Sequence, residues 1–194
     1  MTLKFAFIVG CLVFAVLSYF FCHSKRDWAW LVGGLCFTVW ADYFLVLYNL
    51  HLPGVAVFCF AHVCYIGRSG RLRPFCMIGL FLTVGIIVSI GLIFESIFVL
   101  AGLYACLFIV NIFVHVLAFK KPHLPRHNHV LMLVGLCLFA LCDMNVLVFN
   151  LPNFIDISFA GLTSHLAFWL IWFFYLPAQG LLAVSGIKFA RRDV

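Results

Sequence analysis

Charge is scarce in this chain. Only 9% of its residues are Asp, Glu, Lys or Arg, against 66% hydrophobic residues and a mean hydropathy of +1.21. That balance excludes a soluble globular domain and defines a polytopic membrane protein. No CxxC pair is present, and no cysteine spacing reads as a loop disulfide framework, so the nine cysteines read as small packing residues of apolar spans. HExxH is missing too, and the one HxxxH spacing, His123 to His127, falls in a basic loop, which leaves no local metal-ligand pair within the apolar spans. Polar stretches are also short: the longest loop, Lys120 to His129, is far too brief for a soluble domain, so residues 1–194 are expected to form a single transmembrane domain. The first apolar run follows Lys4 but is too long for an ordinary signal h-region and lacks a small-x-small cleavage site.

Membrane-crossing segments of about 20 apolar residues are predicted at 3–22, 28–48, 53–67, 75–94, 97–119, 130–150 and 157–186. Seven such runs exclude a barrel of alternating short strands, so the fold class is an all-α membrane protein with seven transmembrane helices. Basic residues support that count, because Lys and Arg collect in cytoplasmic loops. Lys25 and Arg26, then Arg68, Arg71 and Arg73, then Lys120, Lys121 and Arg126, then Lys188, Arg191 and Arg192 follow alternate spans, while the loops 49–52, 95–96 and 151–156 have none. The expected topology has the N-terminus outside and the C-terminus cytoplasmic. The net charge of +6 is accounted for by these loops and by anionic lipid headgroups, and gives no reason to expect nucleic acid. Trp28 and Trp30 read as an interfacial belt.

Against this background two acids stand out. Asp42 and Asp143 lie within apolar runs, and their surroundings match at one offset: Gly34-Leu35-Cys36 with Gly135-Leu136-Cys137, and Asn49-Leu50 with Asn150-Leu151. The offset carries the second span onto the sixth and the third onto the seventh, a parallel 3+1+3 pseudo-repeat with the fourth span as linker. An acid in the hydrocarbon layer is costly and generally functional. Both aspartates are expected about 9–11 Å from the outer boundary, given a rise of 1.5 Å per residue. Asn49 and Asn150, seven residues on, are expected on the same helical face and turned inward.

A carboxyl pair in a low-dielectric site does not carry two charges easily, so one proton is retained, which equips the pair as an acid and a base or charge stabiliser. The bland alternative is a buried acid that orients helices through bonds to Tyr43, Asn145, Tyr65, Tyr104 or Asn111. His62 and His165 fall about 12–14 Å below the outer boundary by the same rise, within reach of the acids, although a neutral imidazole also packs well between helices. His115, His123, His127 and His129 are given no role, and Glu95 is expected to be solvated. Two Asp and two His at one depth are the weak case for a bound divalent metal; no metal or other cofactor is expected.

The second and third spans carry Leu35-Cys36-Phe37-Thr38-Val39-Trp40-Ala41-Asp42, then Gly54, Phe58 and His62-Val63-Cys64-Tyr65. Later come Leu136-Cys137-Leu138-Phe139-Ala140-Leu141-Cys142-Asp143 and Tyr175-Leu176-Pro177-Ala178-Gln179. In this order the chain resembles the YhhN family of lysoplasmalogenase-like membrane proteins. That family pairs a Gly-Asp helix with G…F…HxxY, has a second acidic helix ending Ser-Asp, and closes on Tyr-x-x-Ala-Gln. Here Ala41 replaces the usual Gly, Cys142 replaces the usual Ser, and seven spans stand where the family has eight. The resemblance implies hydrolysis of the vinyl ether bond of lysoplasmalogens, giving a fatty aldehyde and a glycerophospho-ethanolamine or glycerophospho-choline. It implies Asp42, Asp143 and His62 as catalytic residues and Tyr65, Tyr104 and Gln179 as substrate-binding ones, to which the offset adds Asn49 and Asn150. The expected partners are a lysophospholipid and the surrounding lipids.

Two other classes compete. Paired acids in a parallel repeat also describe a proton-coupled transporter of small molecules or lipids, although Pro53 and Pro177 are expected near helix ends rather than as mid-span breaks. A non-catalytic lipid or partner binder is the third. The expected location is a multi-pass position in a cell membrane, with a bacterial inner membrane first.

Overall fold

The computed structural model describes residues 2–120, 124–150 and 160–188, with side chains described for 3–119, 124–150 and 165–188. The loop predicted at 151–156, the start of the seventh span at 157, and Lys121, His123, Arg191 and Arg192 lie outside the described residues. Among the described residues the chain is all helix: α1 (Thr2–Leu17), α2 (Lys25–Asp42), α3 (His51–Arg68), α4 (Pro74–Ile93), α5 (Ile97–Lys120), α6 (Arg126–Asn150) and α7 (Ala160–Val184). A 3-10 turn, Ser18–Phe21, extends α1, and a π-helical turn, Tyr43–Leu47, extends α2. Each predicted span thus corresponds to one helix.

Six of the seven helices, with their extensions, are long and apolar enough to cross a membrane. The exception is α3, and its position explains why. It packs against α2, α4 and α5, and Ala61 to Ser69 is buried without a break. A helix enclosed by protein needs no continuous lipid-compatible surface, so it can hold His62 and Arg68. In contrast, α4 buries only the stripe Met77, Val84, Val88 and Gly91.

Consecutive helices alternate in direction, as hydrogen bonds at one end of the bundle establish. There Arg68, at the end of α3, donates to Asp27 at the start of α2 (Nε to Oδ1, 2.9 Å; Nη2 to Oδ2, 3.0 Å) and through Nη1 to Ser185 Oγ, just past α7 (2.9 Å). Asn128, at the start of α6, donates to the Ser185 and Ile187 carbonyls, both at 2.7 Å. Lys188 N donates to the Phe21 carbonyl beyond α1, and Arg71 donates to Leu117 of α5. The ends of α1, α3, α5 and α7 therefore meet the starts of α2 and α6. Arg68 and Asp27 are 1% and 5% exposed, so this is a buried clasp, where the sequence had suggested a solvated loop cation.

Two tryptophans and one proline depart from expectation. Trp28 donates to the Ala15 carbonyl at 2.8 Å, and Trp30 covers Gly67 and stacks on Phe81, so both join helices instead of only facing an interface. Pro177 lies inside α7, two turns before its end, where it leaves the Phe173 carbonyl without its usual donor.

Candidate active site

Asp42 occupies the last position of α2, and the π-helical turn begins at the next residue. π segments occur often at functional sites because the extra residue per turn redirects neighbouring side chains. Asp42 is 4% exposed, and its Oδ2 accepts a 2.6 Å hydrogen bond from the Tyr175 hydroxyl of α7. Asp143, in α6, accepts a 2.7 Å bond at Oδ2 from the Tyr104 hydroxyl of α5. Each acid therefore faces a tyrosine from another helix. Tyr104 was among the partners the sequence offered; Tyr175 was visible only as part of the Tyr-x-x-Ala-Gln motif.

One aromatic cluster joins the two pairs. The Phe139 ring lies 5.5 Å from Tyr175, 5.9 Å from Phe58 and 5.8 Å from His62, centroid to centroid. His62 in turn lies 4.8 Å from Tyr104, edge to face. The two acids thus border one aromatic cluster, each bonded to its own phenol.

Unpaired polar atoms lie in the same core. His62 is fully buried, and its Nδ1 is 3.2 Å from Asn111 Nδ2. With the amide as donor, Nδ1 accepts and the ring proton is on Nε2. Neither that Nε2 nor Asn111 Oδ1 has a protein partner. Gln179, one turn beyond Tyr175, is fully buried with both ends of its amide unpaired. Buried polar groups are nearly always bonded, so such atoms mark capacity to hold something polar.

The other site candidates are distributed less evenly. Tyr65 lies wholly inside, its hydroxyl 3.4 Å from Thr38, and its ring rests on Gly34. Asn150 donates to its own helix at Val146, 2.8 Å away. Asn49 is exposed with φ 56°, off the helix, so it does not share a helical face with Asp42; the π turn alters the register on which that reading depended. His165 is exposed, 6.4 Å from the Trp169 ring. Among the described residues no group of three His, Cys, Asp or Glu is placed to hold a metal ion. The clasp residues Asp27 and Arg68, and His115, whose Nε2 donates to the Tyr65 carbonyl at 2.9 Å, are packing partners to which the sequence assigns no site role.

A helical bundle embedded in a membrane, with one buried and one half-buried Asp–Tyr pair bridged by aromatic side chains, defines the class of protein. The chain belongs to the YhhN family, whose model matches residues 1–186. No curated protein and no solved structure matches it.

Proposed function

We propose that this protein is a membrane-embedded hydrolase that cleaves the vinyl ether bond of lysoplasmalogens, releasing a fatty aldehyde and glycerophospho-ethanolamine or glycerophospho-choline. The observation that carries the reading is the pair of intramembrane aspartates, Asp42 buried and Asp143 half-buried, each held by a tyrosine from another helix, in a YhhN chain. Cleavage begins with transfer of a proton to the alkene carbon remote from oxygen, which leaves an oxocarbenium ion. Water adds to that cation and loses a proton, and the hemiacetal collapses to aldehyde and alcohol. One water is consumed and the catalytic proton is returned.

A positioned carboxylic acid and a facing carboxylate suit this sequence of steps, as two carboxyls suit the related cation of glycoside hydrolysis. Asp42 and Asp143 take these roles. His62 Nε2 and the Gln179 amide are the buried groups available to orient water or the glycerol oxygens, with Tyr65 and Tyr104 fixing the walls. The parallel 3+1+3 relation and an N-out, C-in orientation complete the reading. The matched glycines give it some support, since Gly34 lies against α3 and Gly135 against α7. The acids, however, bond outside the offset, Asp42 to α7 and Asp143 to α5.

Aldehyde release from purified protein and ethanolamine or choline lysoplasmalogen tests the proposal. Asp42→Asn and Asp143→Asn should each lower it by about a hundredfold or more with the melting temperature retained. Undiminished turnover in both variants would falsify the acid-pair mechanism, and saturable substrate flux into vesicles without aldehyde would instead identify a carrier.

A further inference from the structure

Among the described basic residues, Lys4 alone lies away from the clasped end of the bundle. Its Nζ sits over three rings of α7: Trp172 at 4.2 Å from the centroid, Phe168 at 4.9 Å and Trp169 at 5.8 Å. Cation–π attraction fixes a flexible ammonium in such a box. The ammonium is thus pinned beside α7, and the ion pair of the described residues, Asp27–Arg68, lies at the other end.

Directly along the same two helices runs an apolar groove of about 300 Å³, lined by Phe7, Gly10 and Phe14 of α1 and by Gly180, Ala183 and Val184 of α7. Lys4, Phe7 and Phe14 recur at helical spacing, so the cation and the groove share one face of α1. Gly10 leaves the groove open, since a Cβ there would meet nothing within 4 Å. The box also borders the candidate site: the Trp172 ring packs edge to face on Tyr175 with centroids 6.0 Å apart, and Tyr175 holds Asp42.

A fixed cation followed by a single apolar channel is complementary to an anionic head followed by one hydrocarbon chain. We propose that Lys4 binds the phosphate of a single-chain phospholipid whose chain lies in the α1–α7 groove, and that this anchors the substrate of the hydrolase beside Asp42. The head group recognised is the phosphate. An amine would meet the Lys4 ammonium already in the aromatic box and be repelled. The substrate half of this proposal rests on the hydrolase reading; the lipid site itself does not.

Two measurements on the full chain in lipid nanodiscs separate these halves. A lysophosphatidylethanolamine bearing a diazirine on its chain should label Phe7–Phe14 and Gly180–Val184. Labelling should fall about tenfold in Lys4→Gln, persist in Lys4→Arg, and be blocked in Gly10→Leu, which fills the groove without a backbone clash. Aldehyde release from lysoplasmenylethanolamine by Lys4→Gln should show KM raised about tenfold with kcat retained, while a 1-alkenylglycerol lacking phosphate is turned over equally by both proteins. Labelling elsewhere, or equal labelling of Lys4→Gln and wild type, overturns the site. Correct labelling with a KM shift shared by the phosphate-free lipid overturns the anchoring role. If the wild type releases no aldehyde at all, the hydrolase reading fails while the labelling still decides the lipid site.

Discussion

Tyr175 and Tyr104 differ from phenylalanine at the site by one hydroxyl each, so they isolate what orienting an aspartate contributes. A hydrogen bond to a charged or developing charged group is worth more than a neutral one. Tyr175→Phe and Tyr104→Phe should therefore each lower kcat for aldehyde release by about ten- to a hundredfold with KM nearly unchanged, as kinetics on the purified variants would show. Arg68 and Asp27 call for a different experiment because they touch no candidate acid. Removing the Arg68 head group strands a buried carboxylate, so Arg68→Met should cost about 3–5 kcal/mol of stability. Arg68→Met combined with Asp27→Leu should recover most of it, because an apolar pair has no charge to leave unpaired; thermal unfolding in detergent gives both values. The sequence could not reveal these partnerships. Tyr175 is 133 positions from Asp42, and Arg68 is 41 from Asp27. The one available signal was Asp27 itself, an isolated acid among Lys25, Arg26 and the other bases of its end, whose charge needed a close partner if buried.

Helices were the most predictable part, since continuous apolar runs of bilayer length leave the backbone no other way to satisfy its hydrogen bonds. Prediction weakened where protein replaced lipid as the surrounding medium. The enclosed helix α3 carries the weakest hydropathic signature, and the apolar run read for it, 53–67, was the shortest of the seven. Nothing in Tyr43–Leu47 announces a π turn, because the local composition is that of any apolar helix; the turn lies where the chain packs on α3 and α1. Close helix contacts did leave a mark in the matched glycines. A Cβ at Gly34 would lie 2.5 Å from Tyr65 Cε1, on a ring with no room to retreat. Gly34→Ala is therefore expected to destabilise the protein by about 1–3 kcal/mol. Gly102→Ala, in α5 where a Cβ meets nothing within 4 Å, should be neutral or stabilising by up to about 1 kcal/mol. Melting temperatures of the two variants make the comparison.

Among the described residues nearly all the basic side chains lie at one end of the bundle, and the N-out, C-in orientation proposed on that ground is testable. A fluorescent protein fused after Val194 should be fluorescent, and alkaline phosphatase at the same position inactive; the opposite pair of results would invert the molecule and move the aspartates to the other leaflet. The clasped end has a mechanical consequence. Arg68 there binds residues from two other segments, Asp27 and Ser185, while Asn128 ties α6 to the strand-like exit of α7. Helices fastened at one rim behave like staves hooped at that edge, freer to spread with distance from it. On the hydrolase proposal, a lipid bound for Asp42 would then arrive sideways through the half away from the clasp, and water for its cleavage would have to come from that same compartment.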